Sequence, residues 1–282
     1  MMTSNSKRVW VTGNKGFVGK VMTKGLELVG YTVVGTDAEL SVTEPERLEA
    51  FAEEVQPSII VNCAGIRRDA TTLDTKAKAY EVNALGARNM AVVANTIGAT
   101  IVQVSSDDVY NLNQDEPVNE FDQPHPNTPY GKSKLAGEEM VRATTPDHLI
   151  VRSSWLYQAE TGRFNEVMEA AKSGDKYETR SDQYAAPASV GFYMHYLLKM
   201  LERGAKGTYH ITPKGRASRY DFSRKILELA GYDPNIVVPV TDPATAEDLV
   251  LESMMLEIAG ADLPTWEECL EQYMSFKGLL AE

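Results

Sequence analysis

The sequence predicts an α/β fold, a doubly wound parallel sheet with helices on both faces. Three observations predict it. Strand-like and helix-like segments alternate from Arg8 to Arg152. A glycine-rich turn, Gly13-x-x-Gly16-x-x-Gly19, joins the first strand to the first helix. Small and polar residues collect at later strand ends, Asn62 to Gly65 and Ser105-Ser106. In open α/β sheets, ligands sit beyond the carboxyl ends of the strands.

The elements follow in order. Arg8-Val-Trp-Val-Thr12 reads as a strand, and beyond the glycines Val18, Val21, Met22, Leu26 and Val29 recur at helical spacing before a stop at Gly30. Thr32 to Asp37 is a second strand. Thr43-Glu-Pro-Glu46 reads as a capping box for a helix with the apolar stripe Leu48, Phe51, Ala52 and Val55. Ser58 to Asn62 is a buried strand, Thr75 to Ile97 a long helix, Thr100 to Val104 a strand, Tyr130 to Arg142 a helix and Leu149 to Arg152 a strand. The alternation then loosens. Arg163 to Lys172 and Val190 to Leu201 read as helices, Gly207 to Ile211 as a strand, Ser218 as the cap of a helix to Ala230, and Thr265-Trp-Glu-Glu268 as a capping box for a last helix. Residues 1–155 form the expected nucleotide-binding domain. Residues 156–282 form mainly a smaller lobe, part of which returns to the sheet.

Composition narrows the class. The chain has 282 residues and a net charge of −12, from 28 Lys and Arg against 40 Asp and Glu. That balance disfavours nucleic acid and anionic membranes as partners, because both need a positive field. No apolar run reaches the roughly 18 residues of a membrane span, and Met1 to Arg8 lacks a signal-peptide core. Two cysteines, Cys63 and Cys269, do not make a disulfide framework. The cytoplasm is the expected location. The four histidines show no metal-binding spacing, and the acids between Glu247 and Glu257 read as a solvated helix face.

Two groups of residues point to chemistry. The small residues of the glycine turn let backbone approach a pyrophosphate, while the following helix offers free N–H groups and a positive dipole end. The same glycines also suit a purely structural turn. Asp37, about twenty residues on, can accept hydrogen bonds from an adenosine ribose and repel a 2′-phosphate, which favours NAD over NADP; a loop acid is the other reading. Tyr130 and Lys134 stand four residues apart on one helix face. A phenol with a pKa of about 10 is a poor acid at neutral pH, and a neighbouring cation draws it toward the useful range.

Thr12-Gly-x-x-Gly-x-x-Gly19, Ser105-Ser106 and Tyr130-x-x-x-Lys134 together resemble the extended short-chain dehydrogenase/reductases, and within them the dTDP-4-dehydrorhamnose reductase branch. Ser105-Ser-Asp-Asp-Val-Tyr110 is similar to that branch's Ser-Thr-Asp-Tyr-Val-Phe, and Arg152-Ser-Ser-Trp-Leu-Tyr157 to its Arg-Thr-Ser-Trp-Val-Tyr. Asp182-Gln-Tyr-Ala-Ala-Pro187 and Gly207-Thr-Tyr-His210 match two further motifs. The likeness spans about residues 8 to 230. Leu40-Ser-Val42 stands where the branch often has Leu-Asp-Ile/Val, Thr245 to Glu252 lacks an Arg-Pro, and Ile66-Arg-Arg-Asp69 replaces a mostly uncharged loop.

The resemblance implies a Rossmann-type fold with a smaller C-terminal substrate-binding lobe. It implies Ser106, Tyr130 and Lys134 as the catalytic set, NADPH or NADH as cofactor, and a nucleotide-sugar substrate. The cofactor site maps onto Gly13, Lys15, Gly16, Phe17, Val18, Gly19, Asp37, Asn62, Cys63, Ala64 and Gly65, with Tyr130 and Lys134. Substrate contacts map onto Ser106, Asp107, Trp155 and Arg67. Mg²⁺ and a homodimer are compatible with the resemblance. Several of these residues have a second reading. Asn62 also suits a strand cap, Trp155 a core position, Arg67 and Arg68 a solvated pair, and Asn83 an exposed helix position. Cys63 reads as a packed thiol.

On this reading a 4-keto-6-deoxysugar accepts hydride on its ketone carbon and a proton from Tyr130. Ser106 orients the carbonyl, and Lys134 lowers the Tyr130 pKa and holds the nicotinamide ribose. Two alternatives use the same fold: a nucleotide-sugar epimerase or dehydratase with the same trio, and a non-enzymatic regulator like the β subunit of methionine adenosyltransferase.

Overall fold

The computed structural model describes residues 7–114 and 116–281. The start of the chain, read above as lacking a signal-peptide core, lies outside the described residues up to Ser6. Two compact units are present. One comprises the chain to Asn111 with Gln123–Arg152 and Leu197–Tyr209; the other comprises Leu112–Asp122, Ser153–Tyr196 and the chain from His210.

The first unit holds strands β1 (Arg8–Thr12), β2 (Thr32–Thr36), β3 (Ile59–Asn62), β4 (Thr100–Val104) and β5 (His148–Arg152). They pair in parallel, and the sheet order is Gly207–His210, β5, β4, β3, β1, β2. The order reverses at β1, whose neighbours are β2 on one side and β3 on the other. That switch point opens the crevice where doubly wound sheets take ligands. Helices α1 (Phe17–Leu28), α2 (Pro45–Val55), α3 (Lys76–Tyr80), α4 (Ala87–Ile97) and α5 (Pro129–Thr144) connect the strands. One core packs Trp10, Leu48, Ile60, Met90, Ile101 and Val141. Trp10 is fully buried yet satisfied, because its indole N–H donates to Thr36 Oγ1 at 2.8 Å.

Several local expectations change. The capping box at Thr43 is absent: Glu44 is the N-cap of α2, without a side-chain cap bond. Its carboxylate instead accepts from Ser41 N at 3.2 Å and from Arg47 at 2.8 Å. The long helix from Thr75 is interrupted by a π-helical segment, Glu81–Gly86. Periodicity cannot reveal one extra residue in a turn, and such segments recur at functional sites. Helix α5 starts as its sequence requires, with Pro129 in its first turn and the Thr128 hydroxyl accepting from Gly131 N at 2.9 Å, a cap worth about 1 kcal/mol.

The second unit holds α6 (Gly162–Ser173), the start of α7 (Val190–Glu202), α8 (Arg219–Leu229) and the helix Trp266–Lys277 around a core of Tyr157, Phe164, Phe222, Trp266, Leu270 and Tyr273. Ser218 and Thr265 both form complete capping boxes. The acidic stretch expected as a helix face is largely not helical. Glu247–Asp248 is a short strand parallel to Gln183–Ala185, and only Met254–Ile258 forms a helix. The buried run Leu249, Val250 and Leu251 holds the segment in extended form.

Candidate active site

The glycine turn is built for close approach. Gly13 has φ +63°, and a Cβ there would lie 2.8 Å from Ala64 N; a Cβ on Gly19 would lie 2.1 Å from the Gly13 carbonyl oxygen. The turn therefore packs against the backbone of Cys63 and Ala64 on one side and closes on α1 on the other. Gly16 is the N-cap of α1 with no side-chain cap, so the N–H groups of Phe17 and Val18 have no cap from their own helix end. This cradle fits a pyrophosphate.

Asp37 sits beside the turn, and its carboxylate accepts from Lys15 N at 2.9 Å and Ala38 N at 2.8 Å. Glu39, which sequence reasoning passed over, accepts from Lys15 Nζ at 2.9 Å and from Asp37 N at 2.9 Å. The Lys15 ammonium holds the Glu39 carboxyl down at about 2.

Asn62 turns into a row that follows the strand register, Thr12 opposite Asn62 and Asn62 opposite Gln103. Thr12 Oγ1 donates to Asn62 Oδ1 at 2.7 Å, and Asn62 Nδ2 donates to Gln103 Oε1 at 2.8 Å. Its amide is thus used across β1, β3 and β4. Asn83 is 2% exposed, not solvent-facing. It accepts from Ile66 N at 2.8 Å and donates to Ile66 O at 3.2 Å and Ser133 Oγ at 2.9 Å. Ser133 Oγ in turn donates to Tyr130 O at 2.7 Å. The π segment that disturbs the helix carries this Asn, which ties the loop at Gly65 to α5.

Ser106, Tyr130 and Lys134 come together at the ends of β4 and α5. A Cβ on Gly131 would lie 1.8 Å from Asp108 O, so only glycine lets α5 press this closely on the turn Asp107–Val109. Ser106 Oγ donates to Asp107 Oδ1 at 2.8 Å and approaches Asp108 Oδ2 at 3.2 Å. The Tyr130 phenol is raised above its usual pKa, first by burial and then by the Asp108 and Asp107 charges; the Ser106 hydrogen bond and Arg68 pull the other way. Lys134 is buried one turn further along α5. Its Nζ donates to Val104 O at 2.6 Å, and burial lowers its own pKa to about 8 against the raising pull of Glu138 and Cys63. The phenol therefore keeps its proton at neutral pH. Cys63 is also desolvated, its thiol pushed up to about 12, which suits a packed thiol.

The two loop arginines separate. Arg67 is exposed and pairs with Asp69, while Arg68 reaches the buried Asp108 carboxylate at 3.3 Å. Arg68, not Arg67, therefore stands beside Ser106 and Tyr130. Beneath them is a fully buried carboxylate, Glu138, which no spacing rule had singled out.

In the second unit, Trp155 is strained at φ +31°. The Arg219 guanidinium lies 3.8 Å from its ring centroid, and Gln183 Oε1 accepts from Arg219 Nε at 2.7 Å. The Asp-Gln motif thus steadies the cation stacked on Trp155. Backbone strain of this kind collects at functional positions. Among the described residues no group of three or more His, Cys, Asp or Glu could hold a metal ion. No helix among them is long and apolar enough to cross a membrane.

A switch-point crevice with a glycine cradle, and a Tyr and Lys one turn apart beside a strand-end Ser, defines the extended short-chain dehydrogenase/reductase class. The chain belongs to the RmlD substrate binding domain family, whose model matches residues 7–276. It is 31% identical over 275 residues to the spore coat polysaccharide biosynthesis protein SpsK of Bacillus subtilis, covering 95% of this chain and 96% of that protein. It is 30% identical over 278 residues to a dTDP-4-dehydrorhamnose reductase of Mycolicibacterium smegmatis, covering 94% and 84%. The structure of dTDP-4-dehydrorhamnose reductase from Bacillus anthracis in complex with NADP matches with a TM-score of 0.89 at 30% identity, over 96% of this chain and 99% of that one.

Proposed function

We propose that this protein is an NAD(P)H-dependent reductase of the 4-keto group of a dTDP-linked 6-deoxysugar. The observation that carries the reading is the Tyr130 phenol set beside the Ser106 hydroxyl, one helical turn from the buried Lys134. The relatives named as dTDP-4-dehydrorhamnose reductases support it. Gly13, Gly16, Gly19 and the first turn of α1 would hold the cofactor pyrophosphate, and Lys134 the nicotinamide ribose. Reduced nicotinamide supplies the hydride when bound. As the ketone carbon gains its C–H bond, the C=O π electrons move to oxygen, and Tyr130 gives that oxygen its proton. Ser106 turns its O–H from Asp107 toward the carbonyl and orients it. Trp155, Asp107 and Arg67 are the proposed contacts to the sugar nucleotide.

NADH is the favoured cofactor on this reading. Asp37 and Glu39 place two carboxylates at the end of β2, and Lys15, the cation that would receive a 2′-phosphate, is already paired with Glu39. The cytoplasm is the proposed location, in keeping with two free cysteines. The test follows nicotinamide absorbance with NADH or NADPH and dTDP-4-dehydro-6-deoxy-L-mannose. Tyr130→Phe should cut turnover at least about a hundredfold, the lower end of what a general acid contributes, with cofactor affinity nearly intact. Unchanged turnover would remove Tyr130 from the chemistry. Cofactor binding without oxidation of either nicotinamide would favour a regulatory subunit.

A further inference from the structure

The sheet face that packs on α2, α4 and α5 changes character where its strands end. Trp10, Ile60 and Ile101 on β1, β3 and β4 share one core with Leu48, Met90 and Val141 of those helices. Two residues further along the same strands stand Thr12, Asn62 and Gln103, on the same face because strand side chains alternate. The register sets Thr12 opposite Asn62 and Asn62 opposite Gln103. None of the three is more than 2% exposed. Buried polar side chains are costly unless bonded, and here the bonds run one way along the row. Thr12 Oγ1 donates to Asn62 Oδ1 at 2.7 Å, Asn62 Nδ2 to Gln103 Oε1 at 2.8 Å, and Gln103 Nε2 to Val104 O at 3.0 Å. Val104 O also accepts from Lys134 Nζ at 2.6 Å.

We propose that Gln103 is a positioning residue, which acts through the Val104 carbonyl to hold the Lys134 ammonium where it meets the cofactor. The inference rests on the reading that Lys134 holds the nicotinamide ribose. At Val104 the strand β4 ends: Ser105 N still donates to Val151 O, and the chain then bends into the turn Asp107–Val109. A carbonyl at such an end can tilt, and Val104 O is fixed from two sides, by an amide and by an ammonium. The orientation of the row follows from this carbonyl, which can only accept. Gln103 must turn Nε2 toward it, so Oε1 faces Asn62, Asn62 must donate with Nδ2, and Oδ1 is left to the Thr12 hydroxyl. Thr12 directly precedes Gly13, so the row joins the glycine cradle to the ammonium. Three apolar side chains would fill the same space with no polar group to satisfy, but would leave Val104 O to Lys134 alone.

The test is a double-mutant cycle on NADH affinity, followed by nicotinamide fluorescence, with Gln103→Leu, Lys134→Met and the two combined. Gln103→Leu should weaken NADH binding about tenfold, the order of one hydrogen bond to a charged group. In the Lys134→Met background the same change should cost less than about twofold, because its effect passes through the ammonium. Equal losses in both backgrounds, or an unchanged affinity in Gln103→Leu, make Gln103 a purely structural amide at a strand end and overturn the inference. Gln103→Leu orphans Asn62 Nδ2, so if that variant does not fold, Asn62→Leu/Gln103→Leu takes its place in the cycle, with both amides replaced by apolar groups. Turnover separates this result from the reductase reading. A wild type that binds NADH but reduces no ketosugar ends that reading, while the binding cycle still decides for or against Gln103. A wild type that binds neither NADH nor NADPH overturns both.

Discussion

Asn83→Ala tests whether the π segment exists for the sake of one side chain. Asn83 makes three hydrogen bonds, to Ile66 N, Ile66 O and Ser133 Oγ, from a position 2% exposed. Each such bond contributes about 0.5–1.5 kcal/mol net, and an orphaned buried partner costs about 1–3 kcal/mol. Ser133 keeps its bond to Tyr130 O, so the orphans are the two Ile66 groups, which are half-buried and partly reached by water. The sum is a loss of about 2–4 kcal/mol. For a chain of this size that lowers the melting temperature by roughly 4–12 °C. Thermal unfolding followed by circular dichroism measures it. Asn83→Asp is the second arm: it keeps the acceptor for Ile66 N, loses both donors and buries a charge, so it should be at least as destabilised. A melting temperature for Asn83→Ala within 1 °C of the wild type would refute the claim that Asn83 joins the loop to α5.

Three further outcomes are expected. Glu39→Gln releases Lys15, so the ratio of kcat/KM for NADPH over NADH should rise several-fold; an unchanged ratio would show that Lys15 does not reach the 2′ position. Gly131→Ala brings a methyl against the Asp108 carbonyl, and overpacking of about 1–3 kcal/mol should lower the melting temperature by roughly 2–9 °C with turnover falling further. Glu138 is pushed up by burial, but the Arg152 hydrogen bonds and charge, with Arg142 and Ser105, hold it below the usual carboxylate range. Its stabilisation is therefore complete above its unfolded pKa of about 4.3 and lost as pH falls through the lower native value. Urea unfolding between pH 3 and 6 should show a shallower acid loss in Glu138→Gln/Arg152→Met than in the wild type.

The parts of this fold legible in sequence are those written in short-range pattern. Strands β1 to β5 are apolar runs, α1 and α4 are apolar stripes, and the boxes at Ser218 and Thr265 state their own termini. What escaped depends on partners far away in the chain. Thr43 satisfied the capping rule and lost to Glu44, which found Ser41 and Arg47. Glu138 reads as one more polar position on a helix. Its meaning lies in Arg152 at the end of β5 and Ser105 just past the end of β4. Tyr130 and Lys134 were legible as neighbours, but their protonation was not, because burial and the Asp pair decide it.

The departures from the family pattern gain sense together. Asp108 stands where the branch carries Tyr, and Arg68 lies in a loop that is mostly uncharged elsewhere in the branch; in this chain the two meet at 3.3 Å beside Tyr130. An extra buried carboxylate alone would raise the phenol further and draw the Ser106 hydroxyl away from a carbonyl. Arg68 offsets that charge and pulls the phenol back. A change that introduces a charge near a reacting proton has to be matched within a few ångströms, because in a desolvated site the interaction is strong. Arg68 and Asp108 therefore act together, as one charge pair beside Tyr130. Arg68→Ala should damage turnover more than Arg68→Ala/Asp108→Asn, and equal damage in both would separate the two changes.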